Sequence, residues 1–416
     1  MNDNEKPTTQ LAPATTLNRR QFLVGAGAAA ATFTLIPAPL VRGAAANSKI
    51  TFGLIGCGGR GQWIANLFTQ HGGYALGAAA DYFKEKTDAM TAKFQVSPDQ
   101  CFNGLSGYQR LLELPLDAVV IESPPYFHPE QAAAAVAAGK HVYLAKPVAV
   151  DVPGCRTVEA SGHKATAKKL CFQVDFQTRA NASYQEAVRR VREGMIGPLV
   201  SADAAYHCGP TWGGMDAFLR QDPKNPEARL RAWGLDRGLS GDIITEQNIH
   251  ALDVVTWFLD AAPVQAFGSG GKVRPYLGDC WDHFAVVYRF PNDVLVSFSS
   301  TQVGAAYDDI LCRVYGQSGT ADTHYFGEVW VHSKEDGFNG GRMANLYTDG
   351  AVGNIATFHR NITQGDCANP TVAPSVRSNL TAILGRTAAY RNAPVTWDQM
   401  MSANERWPLE LKGLKA

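Results

Sequence analysis

The chain has 416 residues, more than one ordinary domain needs and enough for two, each with a core of its own. It is 45% hydrophobic and 18% charged, and its 38 Lys and Arg balance 38 Asp and Glu. That balance, with no run of like charge, gives no footing to nucleic acid or an anionic membrane as partner. The eight cysteines, from Cys57 to Cys367, form no Cys-x-x-Cys pair, so spacing indicates neither a zinc site nor a disulfide framework.

In chain order, the first distinct segment is Asn18-Arg19-Arg20-Gln21-Phe22-Leu23-Val24, followed by an Ala- and Gly-rich run to Leu40 and the triplet Ala44-Ala45-Ala46. A basic region, a mild apolar region and a small-residue cleavage site are the parts of a secretory signal. Paired arginines before Phe-Leu resemble the twin-arginine class. Residues 1–46 are therefore read as a signal that is removed, implying the twin-arginine export machinery as a partner and a periplasmic or otherwise exported product. A membrane anchor is the alternative, but the run is short, Ala-rich and broken by Pro37 and Pro39. No later segment reads as transmembrane, so the processed chain is expected to carry no stable membrane span.

From Lys49 short apolar runs alternate with helix-like stretches, as a parallel sheet with crossover helices requires. Ile50–Ile55 reads as a strand, Gln62–Thr69 as the helix after it, and Tyr74–Ala80 as a second strand ending at Asp81. The apolar run 117–121 reads as a central strand. Pro129 is well placed to open a helix through Ala138 that Gly139 stops. His141–Leu144 is the next strand, and Leu170–Phe172 the expected last. The pattern predicts a doubly wound Rossmann domain over 47–172. Beyond it, a helix over about 183–193 closes at Gly194, and strand-like runs such as Phe284–Phe290 and Val294–Ser300 point to an α+β domain over 173–416 with a large, mostly antiparallel, open-faced sheet.

Gly56-Cys57-Gly58-Gly59-Arg60-Gly61 satisfies G-x-G-x-x-G directly after a strand and before a helix. Gly56 permits the tight turn, Gly58 lets backbone approach a pyrophosphate, and Gly61 allows close helix–strand packing. Asp81, ending the second strand, is placed to accept hydrogen bonds from ribose hydroxyls and to repel a 2′-phosphate. NAD is thus favoured over NADP as cofactor, with Gly56, Gly58, Gly59, Arg60, Gly61 and Asp81 in its site. Arg60 is expected beside the phosphates.

Here the chain resembles the Gfo/Idh/MocA oxidoreductases, the glucose-fructose oxidoreductase and inositol dehydrogenase family, over nearly everything after residue 46. The resemblance is carried by the fingerprint, by Ser123-Pro124-Pro125-Tyr126-Phe127-His128, by the segment from Ala138 to Pro147, by Gly241 to His250, and by Leu384 to Tyr390 with Val395-Thr396-Trp397. It implies that Lys146 sits beside nicotinamide and the reacting carbinol, and that Pro124 and His128 lie on the cofactor loop. The family's Glu before that lysine is Ala145 here, which removes a carboxylate that would position Lys146. Glu246 and His250 match an acid–histidine pair four apart, which a helix places on one face. His250 is then the base, oriented by Glu246. A capped helix start with a core histidine, or half a metal site, are the bland alternatives; no third ligand is apparent, so no metal is expected.

Gln177 and Arg179, after the last Rossmann strand, and Arg231 with Trp233 are candidates to bind substrate, and each suits a structural role as well. The resemblance implies an NAD-dependent oxidoreductase acting on a secondary hydroxyl of a sugar, glycoside or cyclitol, as a homodimer or homotetramer. Export adds the expectation of a tightly held cofactor. Two rivals stand beside it: a redox-neutral glycosidase, epimerase or lyase working through transient oxidation, and a non-catalytic sugar- or nucleotide-binding protein.

Overall fold

A computed structural model describes residues 49–304, 308–407 and 409–416; the expected signal, residues 1–46, lies outside them. The first layer is a six-stranded, wholly parallel sheet in the order β3-β2-β1-β4-β5-β6. Its strands are β1 (Ile50–Ile55), β2 (Tyr74–Asp81), β3 (Cys101–Asn103), β4 (Ala118–Ile121), β5 (His141–Ala145) and β6 (Phe172–Asp175). All four residues of β4 are buried, as a strand covered on both faces requires. Strand order reverses between β1 and β4, and the crevice at that switch point is where a doubly wound sheet takes a dinucleotide.

Two sequence expectations need correction here. β3, only three residues long, is too short to show any periodicity. The last strand begins at Phe172 rather than Leu170, because Leu170 still donates its N–H to Ala165 at the end of the preceding helix, and strand pairing starts with Phe172 beside Val142. Helix α1 (Gly59–His71) is longer at both ends than the predicted 62–69 and stops at Gly72, in the left-handed conformation at φ 82°. Helix α2 (His128–Ala137) carries Pro129 in its first turn.

The second sheet has nine strands in the order β14-β13-β12-β11-β7-β10-β9-β8-β15. These are β7 (Leu199–His207), β8 (Gln265–Gly271), β9 (His283–Arg289), β10 (Leu295–Thr301), β11 (Asp309–Gly316), β12 (Gly319–His324), β13 (Glu328–Ser333), β14 (Gly337–Arg342) and β15 (Val395–Thr396). Every neighbouring pair is antiparallel except β7 with β10. Along β9 and β10 buried and exposed residues alternate, the signature of a sheet with one face on the core. The inner face packs against α3 (Ile249–Leu259) and α5 (Val372–Arg391), with α4 (Leu346–Gln364) between them in the chain and against the first sheet. The outer face leaves Phe267, Val287 and Leu295 about half exposed. Among the described residues no helix is long and apolar enough to cross a membrane.

Candidate active site

The fingerprint forms a cradle that side chains would fill. A Cβ on Gly61 would lie 1.9 Å from the Gly56 carbonyl oxygen, so α1 can pack this close only with glycine there. Gly56 has φ +92°, and its own Cβ would meet the backbone of Glu122 at 2.5 Å. Gly58 and Gly59 face open space. The N-terminus of α1 has no side-chain cap and no acid in its first turn, which leaves its amides and dipole for an anion. Asp81 Oδ2 accepts from the Cys57 N–H at 2.8 Å and Oδ1 from the Phe83 N–H at 2.9 Å, fixing the carboxylate at the lip of the crevice. Burial raises its pKa, and those two bonds work against the rise.

A cavity of about 280 Å³ runs over this cradle, lined by Gly58, Asp81, Phe83, Pro124, Arg231 and Trp233 among others. Its chemistry, backbone amides for phosphate at one point and a carboxylate for ribose at another, fits a dinucleotide. Arg231 and Trp233 line this same cavity. Arg231 lies 3.8 Å over the Phe83 ring and pairs with Glu85 at 2.6 Å, clasping the second domain onto the loop after β2. Local sequence gave no hint of this, because the partners are far apart in the chain.

Beyond the residues that line this cavity, Lys146 follows β5 with its side chain only 8% exposed. Its ammonium donates to the Glu246 carbonyl oxygen and pairs with Glu246 Oε1 at 3.0 Å. The loss of a carboxylate at Ala145 thus does not leave Lys146 without an acid: Glu246 supplies one from the second domain. Burial lowers the Lys146 pKa, and Glu246 opposes that fall. The same-face reading of Glu246 and His250 is corrected, since the helical turn Ile243–Glu246 ends before α3 begins and the two are not on one continuous helix. His250 packs edge-on to Phe176 and Tyr325, and its Nδ1 has no hydrogen-bond partner among the described residues. Burial, then the positive charges of Lys146 and Arg60, hold its pKa well below the usual value, so the ring is neutral near pH 7.

Arg60 departs most from expectation. It turns away from the phosphate cradle and pairs with Glu122 Oε2 at 2.8 Å and with Asp175, while its guanidinium stacks near Trp63 and Tyr347. Two buried carboxylates outbid a phosphate site for a single guanidinium. Burial works against the Arg60 charge, yet Glu122 and Asp175 raise its pKa on balance. Neither acid stood out in the sequence, although an acidic residue directly after the apolar run Val119-Val120-Ile121 was a readable signal for Glu122.

His128 is buried, with Nδ1 2.7 Å from the Pro147 carbonyl oxygen and Nε2 2.7 Å from that of Ser123, and a neutral ring donates to only one of them. Burial drops its pKa to about 4 despite those bonds, and it braces the cofactor loop from behind. Arg179 makes a bidentate pair with Asp253, and the Gln177 amide donates to the Asp175 carboxylate at 2.9 Å while its Oε1 has no partner among the described residues. One cluster has metal-ligand chemistry: His141, Cys171 and Cys367 bring potential ligand atoms within 4.8 Å of one another, the two sulfurs 2.8 Å apart. It lies behind β5 and β6 at their N-terminal ends, away from Lys146, and spacing could not reveal it.

Residues 50–176 match the oxidoreductase family with an NAD-binding Rossmann fold, and residues 184–322 match the GFO/IDH/MocA C-terminal domain. The chain belongs to the Gfo/Idh/MocA oxidoreductase family. An inositol 2-dehydrogenase of Acidothermus cellulolyticus is 28% identical over 283 residues, covering 66% of this chain and 73% of that protein. A glycosyl hydrolase family 109 protein of Shewanella pealeana is 26% identical over 216 residues, 46% of each chain. The structure of scyllo-inositol dehydrogenase from Lactobacillus casei with bound NAD(H) and scyllo-inositol superposes with a TM-score of 0.67 at 21% identity, covering 84% of this chain and 99% of that one, a likeness of fold. This family membership makes the chain an NAD(P)-dependent oxidoreductase with a Rossmann cofactor domain.

Proposed function

We propose that the chain oxidises and reduces a secondary hydroxyl of a cyclitol or sugar with NAD that it holds tightly. The observation that carries this reading is the buried group of Lys146, Glu246 and His250, with Lys146 close to Glu122, which lines the cavity. Bound nicotinamide supplies the hydride acceptor and donor. Lys146 donates a hydrogen bond to the reacting oxygen and stabilises negative charge as it develops there. His250, neutral and with Nδ1 unpaired, accepts the hydroxyl proton and returns it on reversal. Glu246 holds the ammonium in place from the opposite domain. Asp81, repelling a 2′-phosphate, supports NAD over NADP, and the Arg231 clasp supports retention.

The test is to release and identify nucleotide from protein purified without added cofactor, then to offer inositols and aldoses while following nicotinamide absorbance. Retained NAD with turnover on a polyol is the expected result; an empty protein that is inactive with added NAD overturns the reading. A redox-neutral glycosidase is a second reading, favoured by the glycosyl hydrolase relative. Cleavage of a nitrophenyl glycoside without added NAD distinguishes it. The same proposal includes a domain division just after β6, a few residues beyond the expected 172/173, twin-arginine export, supported by Arg19 and Arg20, and a homodimer or homotetramer. The half-exposed Phe267, Val287 and Leu295 on the second sheet support such an assembly. Light scattering reads its mass directly.

A further inference from the structure

Three neighbouring strand ends carry an unusual sequence of side chains. Ile121 of β4 pairs with Leu144 of β5, which sets Glu122 beside Ala145, and Ala145 in turn pairs with Asp175 of β6. Arg60 reaches both acids and so spans position 145, where a methyl group leaves room. The carboxylate expected at 145 is absent, and one stands a strand away. Glu122 is fully buried, its Oε1 has no hydrogen-bond partner, and it lines the dinucleotide cavity beside Ser123 and Pro124. β4 lies on the opposite side of β1 from β2, whose end bears Asp81, so Glu122 belongs to the nicotinamide half of the crevice.

With Glu122 ionised, Glu122, Arg60 and Asp175 sum to one negative charge; with it protonated, to none. The two oxidation states of the dinucleotide differ by one positive charge, on the nicotinamide ring. We propose that Glu122 is a specificity-determining residue for the oxidation state of the cofactor, its buried carboxylate favouring NAD+ over NADH. This rests on the NAD reading above.

The groups facing Glu122 are Arg60 from α1, Tyr143 and Lys146 from β5 and the residue after it, Asp175 from β6 and Tyr347 from α4, with Glu246 and His250 beyond Lys146. Burial, with Asp175 adding to it and Arg60 and Lys146 opposing, raises the Glu122 pKa to about 7. Arg60, Tyr143 and Tyr347 are pushed up and His250 down, away from neutrality. Lys146 is lowered, and is the group whose titration must be separated from that of Glu122. NAD+ binding should expel a proton from Glu122, and the preference for NAD+ should grow as pH rises through neutrality.

The experiment equilibrates the full chain with a fixed mixture of NAD+ and NADH between about pH 6 and 9 until the bound ratio is constant, then removes free nucleotide and quantifies what is released. Wild type should show the bound NAD+ to NADH ratio rising roughly tenfold across the range, and Glu122→Gln a flat, lower ratio. Glu122→Asp, which keeps the charge, should retain the rise, and it serves if the glutamine variant does not fold. A flat wild-type ratio, or a rise that persists in Glu122→Gln and so belongs to Lys146, overturns the proposal while leaving NAD binding intact. Failure to bind either nucleotide overturns the NAD reading itself.

Discussion

The two ends of the crevice are built on different physical terms. Around Asp81 the contacts are glycine backbone, two amide hydrogen bonds and the flat groups of Phe83 and Trp233, with the partly exposed Arg231–Glu85 pair at the rim. Around Lys146 five charged side chains, Arg60, Glu122, Lys146, Asp175 and Glu246, meet with little solvent and in pairs. Binding needs a shape that already exists, whereas proton and hydride transfer need charges whose energies are high enough to move. Buried pairs of this kind are a poor source of stability but a good means of setting pKa values.

Substitutions can break that contrast. The largest effect is expected for Lys146→Ala, which should lower kcat by roughly 10²–10⁴-fold and leave the nucleotide dissociation constant within a few-fold, measured by steady-state kinetics and calorimetry. Equal losses in both would mean that the two ends are not separable. Asp81→Ala should do the converse, weakening NAD by roughly tenfold to a hundredfold and erasing discrimination against NADP, with saturated turnover nearly unchanged.

The pH profile of kcat/KM sharpens the assignment of the base. A base works when deprotonated, and burial and nearby cations lower the pKa of His250, so activity should persist as pH falls through the ordinary histidine range near 6.5 and be lost only below it. An acid limb centred at 6.5 or higher that persists in Glu122→Gln would remove His250 from that role. The smallest effect is expected beside the clasp, at the cavity wall: Trp233→Ala should speed nucleotide release a few-fold, read by the rate of exchange with labelled NAD, and change kcat little.

The adenosine end was legible because its signal is local. Gly56 to Gly61 and Asp81 act through backbone geometry and the end of a strand, and a short window of sequence contains both. The open-faced antiparallel sheet was legible for a similar reason, through the alternation in β9 and β10. Lys146, Glu246 and His250 came from resemblance, and their arrangement differs from the same-face expectation: a break after Glu246 frees it to cross to Lys146. Arg60 shows the limit most clearly. Its position in the fingerprint points to phosphate, but its destination is set by Glu122 and Asp175, whose approach depends on strand order and register that no local pattern encodes. Gln177 and Arg179 sit after the last strand as expected, and their bonds to Asp175 and Asp253 were beyond the reach of local pattern.

The clasp of Arg231 on Phe83 and Glu85 has a consequence for stoichiometry. If the dinucleotide does not leave between turnovers, each protein molecule is a container for two electrons and no more. A first substrate fills it, and nothing further can react until those electrons depart. The organism must then provide a second molecule to receive them, or the substrate itself must take them back before release. The choice between a net oxidation and a rearrangement would rest on which partner reaches Lys146 first.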